Sequence, residues 1–272
     1  MGNHEGRRVL ITGGTSGLGF EVAKRLLRDD YIVCVTGRKF DRGSIVSDRF
    51  YFVKSDFSLL PEVASSVNRI TELIGNPDII INNAGILSPP VFTLSSDGFE
   101  ISFQVNLFSH LLLNERFIRQ HEPGRRLMIV SVTSPVYRYV RPDYKLPLKE
   151  NYSPFRVYAE SKFYMLSLGK YLAEKYPEKK FDFIGYNPGT FRSGIYRMQK
   201  RYFHILYRIA APFMRSPEMV ADSLVKIIEN GSQSAGKVYR SLSKSEPFGA
   251  PNEQKSVQFL NDCAEIIAGY LK

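Results

Sequence analysis

Cysteine is the first scarcity. Only Cys34 and Cys263 occur in 272 residues, too few for a disulfide framework, so each reads as a small apolar packing residue. That fits a reducing, cytoplasmic location. Histidine is scarce as well: His4, His110, His121 and His204 show no ligand spacing, and no metal site is expected. No apolar run approaches the length of a membrane span. Strand-like sequence begins by Val9, leaving no room for a secretory signal. A myristoylation start at Met1-Gly2 is discounted, because Gly6 stands where Ser or Thr is wanted.

Acidic charge is also short, with 27 acidic residues against 37 basic ones and a net charge of +10. Such a balance raises nucleic acid or anionic lipid as partners. Neither zinc-finger spacing nor an RNA-binding signature accompanies it. The basic residues are dispersed, apart from Arg197 to Arg215, so solvated surface charge is the better reading and no nucleic-acid partner is expected.

What is present is an alternation. Short apolar runs fall at Val9–Ile11, Ile32–Val35, Tyr51–Val53, Ile79–Ile81, Leu127–Val132 and Phe183–Gly185. Each is bounded by turn residues and separated from the next by enough chain for a helix. That rhythm belongs to βαβ units and a parallel sheet covered on both faces. The length suits one α/β domain.

Directly after the first run comes Thr12-Gly13-Gly14-Thr15-Ser16-Gly17-Leu18-Gly19. Glycines in a strand-to-helix turn let backbone approach a phosphate, and the helix N-terminus supplies N–H donors. Leu18, Val22 and Leu26 then recur at helical spacing and mark the buried face. The second run ends Val35-Thr36-Gly37-Arg38-Lys39. Dinucleotide folds meet the adenosine ribose at this point, where an acid would hold the 2′-hydroxyl. Gly37 lies where that acid is expected, and Arg38 suits a 2′-phosphate instead. NADP(H) is therefore expected over NAD(H).

Tyr158 and Lys162 stand four residues apart, one helical turn on a single face. A cation beside a phenol stabilises phenolate and fits the tyrosine for proton exchange with a carbonyl or alcohol. Tyr171/Lys175, Tyr176/Lys180 and Tyr196/Lys200 share the spacing, so spacing alone leaves four candidates.

These residues resemble the short-chain dehydrogenase/reductase family from about Val9 to Tyr239. Thr12-Gly13-x-x-x-Gly17-x-Gly19 is similar to its cofactor fingerprint, to which Thr15, Ser16 and Leu18 belong by position. Asn82-Asn83-Ala84-Gly85 is similar to the motif after its fourth strand, bordering the cofactor. Asp56, followed by Phe57, matches the acid that meets the adenine amino group. Asn106 matches the helix asparagine that holds a relay water. Pro188-Gly189, with Thr190 and Ser193, resembles the loop at the nicotinamide end. Singly, Asp56 could cap a helix, Asn106 could satisfy backbone, and Pro188-Gly189 could be any turn.

The resemblance implies a doubly wound, Rossmann-type, mostly parallel sheet of seven strands with helices on both faces. It places the whole chain, 1–272, in one domain, with 190–215 as substrate lid. The family order selects Tyr158 with Lys162, and assigns Ser134 as the carbonyl-binding hydroxyl; Ser131 and Thr133 are the alternatives if the register is off. The segment from Tyr152 to Lys162 and the loop Asn187-Pro188-Gly189 resemble the retinol-dehydrogenase-like branch, with Asn187 replacing its histidine.

The implied activity is reversible carbonyl–alcohol conversion with NADP(H) on a small-molecule substrate. Aromatic and aliphatic residues of the lid suggest a lipophilic one, and its interleaved arginines could touch an anionic membrane surface. A homo-oligomer is implied by the resemblance alone. The competing expectations are a non-catalytic NADP(H)-binding sensor or scaffold, a lipid-surface or nucleic-acid binder with a vestigial nucleotide site, and a nucleotide-sugar epimerase or dehydratase.

Overall fold

A computed structural model describes residues 6–41, 45–122, 124–191, 214–241 and 243–271. The first half alternates β1 (Arg8–Ile11), α1 (Gly17–Arg28), β2 (Ile32–Gly37), β3 (Phe50–Lys54), α2 (Leu60–Ile74) and β4 (Ile79–Asn82). A composite helix follows. Its first turn, α3 (Ile101–Phe103), passes through a π-helical turn at Gln104–Phe108 into α4 (Ser109–Gln120). Then come β5 (Leu127–Val132), a 3₁₀ turn at Pro135–Tyr139, α5 (Pro154–Lys175) and β6 (Phe181–Tyr186). The chain closes with α6 (Pro217–Glu229), β7 (Lys237–Ser241), β8 (Lys244–Pro247) and α7 (Glu253–Ile266).

The strands form one sheet in the order β3-β2-β1-β4-β5-β6-β7-β8. All pairings are parallel except β7 with β8. The order runs outward in both directions from β1 and β4, which makes the sheet doubly wound and puts a crevice at the carboxyl ends of those two strands.

Eight strands stand where seven were expected. The extra one, β8, reads Lys-Ser-Glu-Pro and is largely exposed. It carries no apolar alternation, and its charges and proline are what an edge strand uses to discourage further pairing.

Alternate residues of the central strands serve opposite layers, as the period of two requires. Leu10, Cys34, Ile80 and Ile129 pack under α2, α4, α5 and α7. Val9, Ile11, Val33, Ile79, Ile81 and Val130 pack under α1 and α6. The predicted stripe Leu18, Val22 and Leu26 is the buried face of α1. Both cysteines are buried and unpaired, and burial pushes the Cys34 thiol up to about 12. No described helix is long and apolar enough to cross a membrane. Among the described residues no group of three or more His, Cys, Asp or Glu gathers to hold a metal.

Candidate active site

The glycine turn occupies the carboxyl end of β1. Gly13 has φ +62°, and a Cβ there would stand 2.9 Å from the Ala84 Cα. A side chain is excluded by conformation and by crowding, so the turn lies hard against the Asn83-Ala84 backbone. At Gly19, likewise, a Cβ would meet the Asn83 Nδ2 at 2.5 Å. Above Gly17 the space is open, with nothing within 4 Å of its Cβ position. Ser16 is the exposed N-cap of α1 and makes no side-chain cap bond. The N-terminal N–H groups of α1 therefore face an open surface, which fits a phosphate. Leu18 contributes only backbone here, since its side chain belongs to the core.

At the end of β2, Arg38 is exposed and makes no hydrogen bond or ion pair among the described residues. Position 37 is closed to a side chain: a Cβ on Gly37 would lie 2.6 Å from the Thr15 Cγ2. The absence of an acid there is thus built into the packing of the glycine turn.

Asp56 sits just past β3. Its Oδ1 accepts Ser58 N (2.9 Å) and Ser58 Oγ (2.7 Å), and its own N–H donates to Glu62 (2.9 Å). One carboxylate oxygen is committed to a local turn and the other has no partner among the described residues. Phe57 points inward instead. Its ring is buried and meets His110 edge-on at 5.0 Å, so any contact it makes with a nucleotide is through backbone.

The loop after β4 is pinned from two sides. Thr12 Oγ1 accepts the Asn83 and Ala84 N–H groups, each at 2.9 Å, while Asn83 Nδ2 donates to Thr12 O at 2.9 Å. From the π turn, Asn106 accepts the Ile86 N–H (2.9 Å) and donates to both Ile86 O and Ser161 Oγ at 3.0 Å. Between these anchors, Gly85 comes so close that a Cβ would lie 3.1 Å from Lys162 Nζ and 3.2 Å from Asn106 Oδ1.

Lys162 is 4% exposed and donates to Val132 O at 3.2 Å. Burial alone holds its pKa down to about 8. One turn earlier, the Tyr158 ring centre lies 5.9 Å from Lys162 Nζ. Ser134 follows Val132 by two residues and starts the 3₁₀ turn without capping it through its hydroxyl. The two alternative hydroxyls are engaged elsewhere: Ser131 accepts from Asn82 at 3.4 Å, and Thr133 donates to Lys162 O at 3.1 Å.

The second Tyr/Lys pair has a different environment. Glu115 is fully buried and accepts from Tyr171, from Lys175 (2.7 Å), from Tyr176 (2.9 Å) and from Arg119 (3.1 Å). Tyr171 and Tyr176 are donors to a structural carboxylate that ties α4 to α5. Tyr196 and Ser193 lie outside the described residues, as does the lid from 192 to 213. Its ends are described, and they meet: Phe191 bridges Arg215, whose guanidinium reaches Pro188 O at 3.4 Å. Gly189 has φ +68°, and its N–H donates to Asn187 Oδ1 at 3.0 Å; Thr190 is exposed beside it.

Two features had no sequence signal. The π turn carrying Asn106 is one, and the role of His110 is the other. Its Nε2 lies 2.9 Å from Thr12 Oγ1 and its Nδ1 lies 3.1 Å from Asn106 O, across 98 residues of chain in the first case.

A doubly wound α/β protein with a nucleotide-type glycine turn and a buried Lys beside a Tyr at the strand ends is the class that fold and site define. Within that class the chain belongs to the short chain dehydrogenase family, an oxidoreductase family whose model matches residues 7–201. DnrU of Streptomyces sp. (strain C5), assigned as a daunorubicin C-13 ketoreductase, is 30% identical over 82% of this chain and 78% of its own. Retinol dehydrogenase 14 of Mus musculus is 25% identical over 98% of this chain and 87% of its own, in line with a retinol-dehydrogenase-like branch. In three dimensions the chain is similar to the 3-ketoacyl-(acyl-carrier-protein) reductase of Brucella melitensis complexed with NADH. The TM-score is 0.64 at 22% identity, covering 84% of this chain and 93% of that one.

Proposed function

We propose that the protein interconverts a carbonyl and an alcohol with NADP(H), acting on a lipophilic substrate, with Tyr158 as the acid/base. The observation that carries this reading is the convergence of Gly85, Asn106 and Lys162 beside the end of β5, with Tyr158 one turn away. The residues that would hold the cofactor are the Gly13–Gly19 turn, Arg38, Asp56, the Asn83-Ala84-Gly85 loop and Pro188-Gly189-Thr190. Support for the 2′-phosphate form comes from an exposed guanidinium that has no partner among the described residues and from the Thr15 wall at position 37.

When bound, the nicotinamide supplies or receives the hydride. In reduction Tyr158 gives its phenol proton to the developing alkoxide, and Ser134 donates a hydrogen bond to the same oxygen. In oxidation Tyr158 takes that proton back. Lys162 would hold the ribose hydroxyls through an ammonium that also donates to the Val132 carbonyl. The Asn106 side chain is committed to Ile86 and Ser161, so a relay water falls to its carbonyl, which has a lone pair beyond the one His110 uses.

A lipophilic substrate is supported by the lid composition, with Phe191, Ile195, Tyr196, Tyr202, Phe203 and Phe213 among its residues, and by lid ends that return to the Pro188-Gly189 loop.

The test is NADPH- and NADH-linked absorbance with a panel of retinal, a steroid ketone, a long-chain aldehyde and small hydrophilic carbonyls. The expected result is NADPH-linked turnover of the apolar members, lost by at least ~100-fold in Tyr158→Phe. Wild-type turnover in Tyr158→Phe sinks the acid/base assignment. Preference for the small hydrophilic carbonyls removes the lipophilic substrate.

A further inference from the structure

Outside the proposed chemistry lie an apolar cavity between α5 and α7 and the Glu115 cluster. The feature whose geometry reaches furthest is His110. It is fully buried, and among the described residues it is the one histidine whose two ring nitrogens both engage segments of the proposed site.

The hydrogen-bond directions follow from the partners. Asn106 O can only accept, so Nδ1 carries the proton. Nε2 is then a lone pair and accepts the Thr12 hydroxyl proton at 2.9 Å, in preference to the Ile81 carbonyl at 3.4 Å. With its proton so directed, the Thr12 oxygen presents its lone pairs to the Asn83 and Ala84 N–H groups. The imidazole stays neutral: burial and the Lys162 charge hold its pKa at about 3.

These bonds close a ring. Thr12 holds Asn83 and Ala84, the loop runs through Gly85 to Ile86, Ile86 is held by Asn106, and His110 joins Asn106 back to Thr12. Gly85, in the middle, sets the loop against Lys162 Nζ. The ring has no exit to solvent through His110, which is fully buried, so proton export is not its role.

We propose that His110 is a positioning residue that fixes both ends of the Asn83–Ile86 loop, the Thr12 end for cofactor affinity and the Asn106 end for turnover. The inference rests on the reading of Lys162 and Asn106 as part of the proton path. Phe57 packs edge-on against the ring at 5.0 Å.

Three substitutions separate the two arms. His110→Asn keeps the bond to Asn106 O, because Asn114 makes the same bond to His110 O one turn later, at 2.6 Å. His110→Gln reaches to Thr12 and gives up Asn106. His110→Phe gives up both while filling the space.

The readouts are NADPH Kd by fluorescence titration, kcat with the carbonyl that supports turnover, and melting temperature. His110→Phe is expected to weaken NADPH and lower kcat, each on the order of tenfold. His110→Asn recovers kcat but not Kd, and His110→Gln recovers Kd but not kcat. In the wild-type protein at neutral pH, long-range ¹H–¹⁵N spectra should show His110 as the Nδ1–H tautomer.

His110→Phe within about twofold of wild type on both parameters overturns the proposal. So does parallel loss in all three variants that tracks melting temperature, or an Nε2–H tautomer. Tyr158→Phe run alongside separates the two readings. If it keeps turnover, the proton path fails, while the Kd series and the tautomer still decide the Thr12 arm.

Discussion

Replacing Lys162 by Met should stabilise the cofactor-free protein while abolishing turnover. Burial takes the Lys162 pKa from 10.5 to about 8, and at ~1.36 kcal/mol per pH unit the charge costs the fold about 3 kcal/mol. Met fills similar volume without that cost, but it forfeits the bond to Val132 O at 3.2 Å. An unpaired buried carbonyl returns about 1 kcal/mol of that, so the net gain at neutral pH is about 2 kcal/mol.

The pH dependence gives the sharper check. The folded-state pKa lies below the unfolded one, so between about pH 8 and 10.5 the unfolded chain holds a proton the folded chain has released. This group's contribution to stability is therefore present above 10.5 and is lost as pH falls through about 8. The Lys162→Met advantage should be full near pH 6.5 and shrink steadily by about pH 9.5, because every other titrating group is common to both proteins. Urea unfolding followed by far-UV circular dichroism measures the difference. An advantage that does not change with pH, or a less stable variant near pH 6.5, refutes the reasoning.

Two further outcomes concern cofactor choice. Arg38→Ala should weaken NADPH by roughly 10- to 100-fold while leaving NADH nearly unchanged, the scale of a lost charge-assisted contact; equal weakening of both in fluorescence titrations removes the 2′-phosphate assignment. Gly37→Asp alone should not confer NADH binding, because its Cβ enters the Thr15 side chain at 2.6 Å. Adding Thr15→Gly should restore the turn and bring NADH binding, and tight NADH binding by the single variant shows that the crowding is not decisive.

Much of the architecture is legible in the sequence because the central strands are buried on both faces. Runs such as Ile79–Ile81 and Leu127–Val132 need no alternation to be seen, and the glycine turn after β1 carries its own signal. The edge is not legible. Lys237–Ser241 and Lys244–Pro247 are short, with little apolar content in the second, and their pairing is set by tertiary contact. The π turn at Gln104–Phe108 is invisible for a similar reason: its extra residue is held by Asn106 reaching Ile86 and Ser161, partners 20 and 55 residues away. His110 shows the same limit more plainly, since metal-ligand spacing was the wrong pattern for a residue whose partners are a threonine and a carbonyl.

The four Tyr/Lys pairs show what spacing cannot carry. Tyr171–Lys175 and Tyr158–Lys162 share one helix and one interval, yet their surroundings differ. Lys175 is 2.6 Å from the Tyr171 hydroxyl, and both point at the buried Glu115 carboxylate. That carboxylate neutralises the cation and takes the phenol's hydrogen bond; burial first, and the carboxylate second, raise the Tyr171 pKa far above the ordinary range. A phenol so held keeps its proton. Lys162 has a carbonyl where Lys175 has a carboxylate, and its pKa is displaced by desolvation alone. A buried ammonium with no anion opposite it among the described residues is energetically costly, and ligand oxygens are what can relieve it. The interval places a phenol and an ammonium on one face of α5; a carbonyl rather than a carboxylate opposite Lys162 is what the proposed proton exchange by that pair rests on.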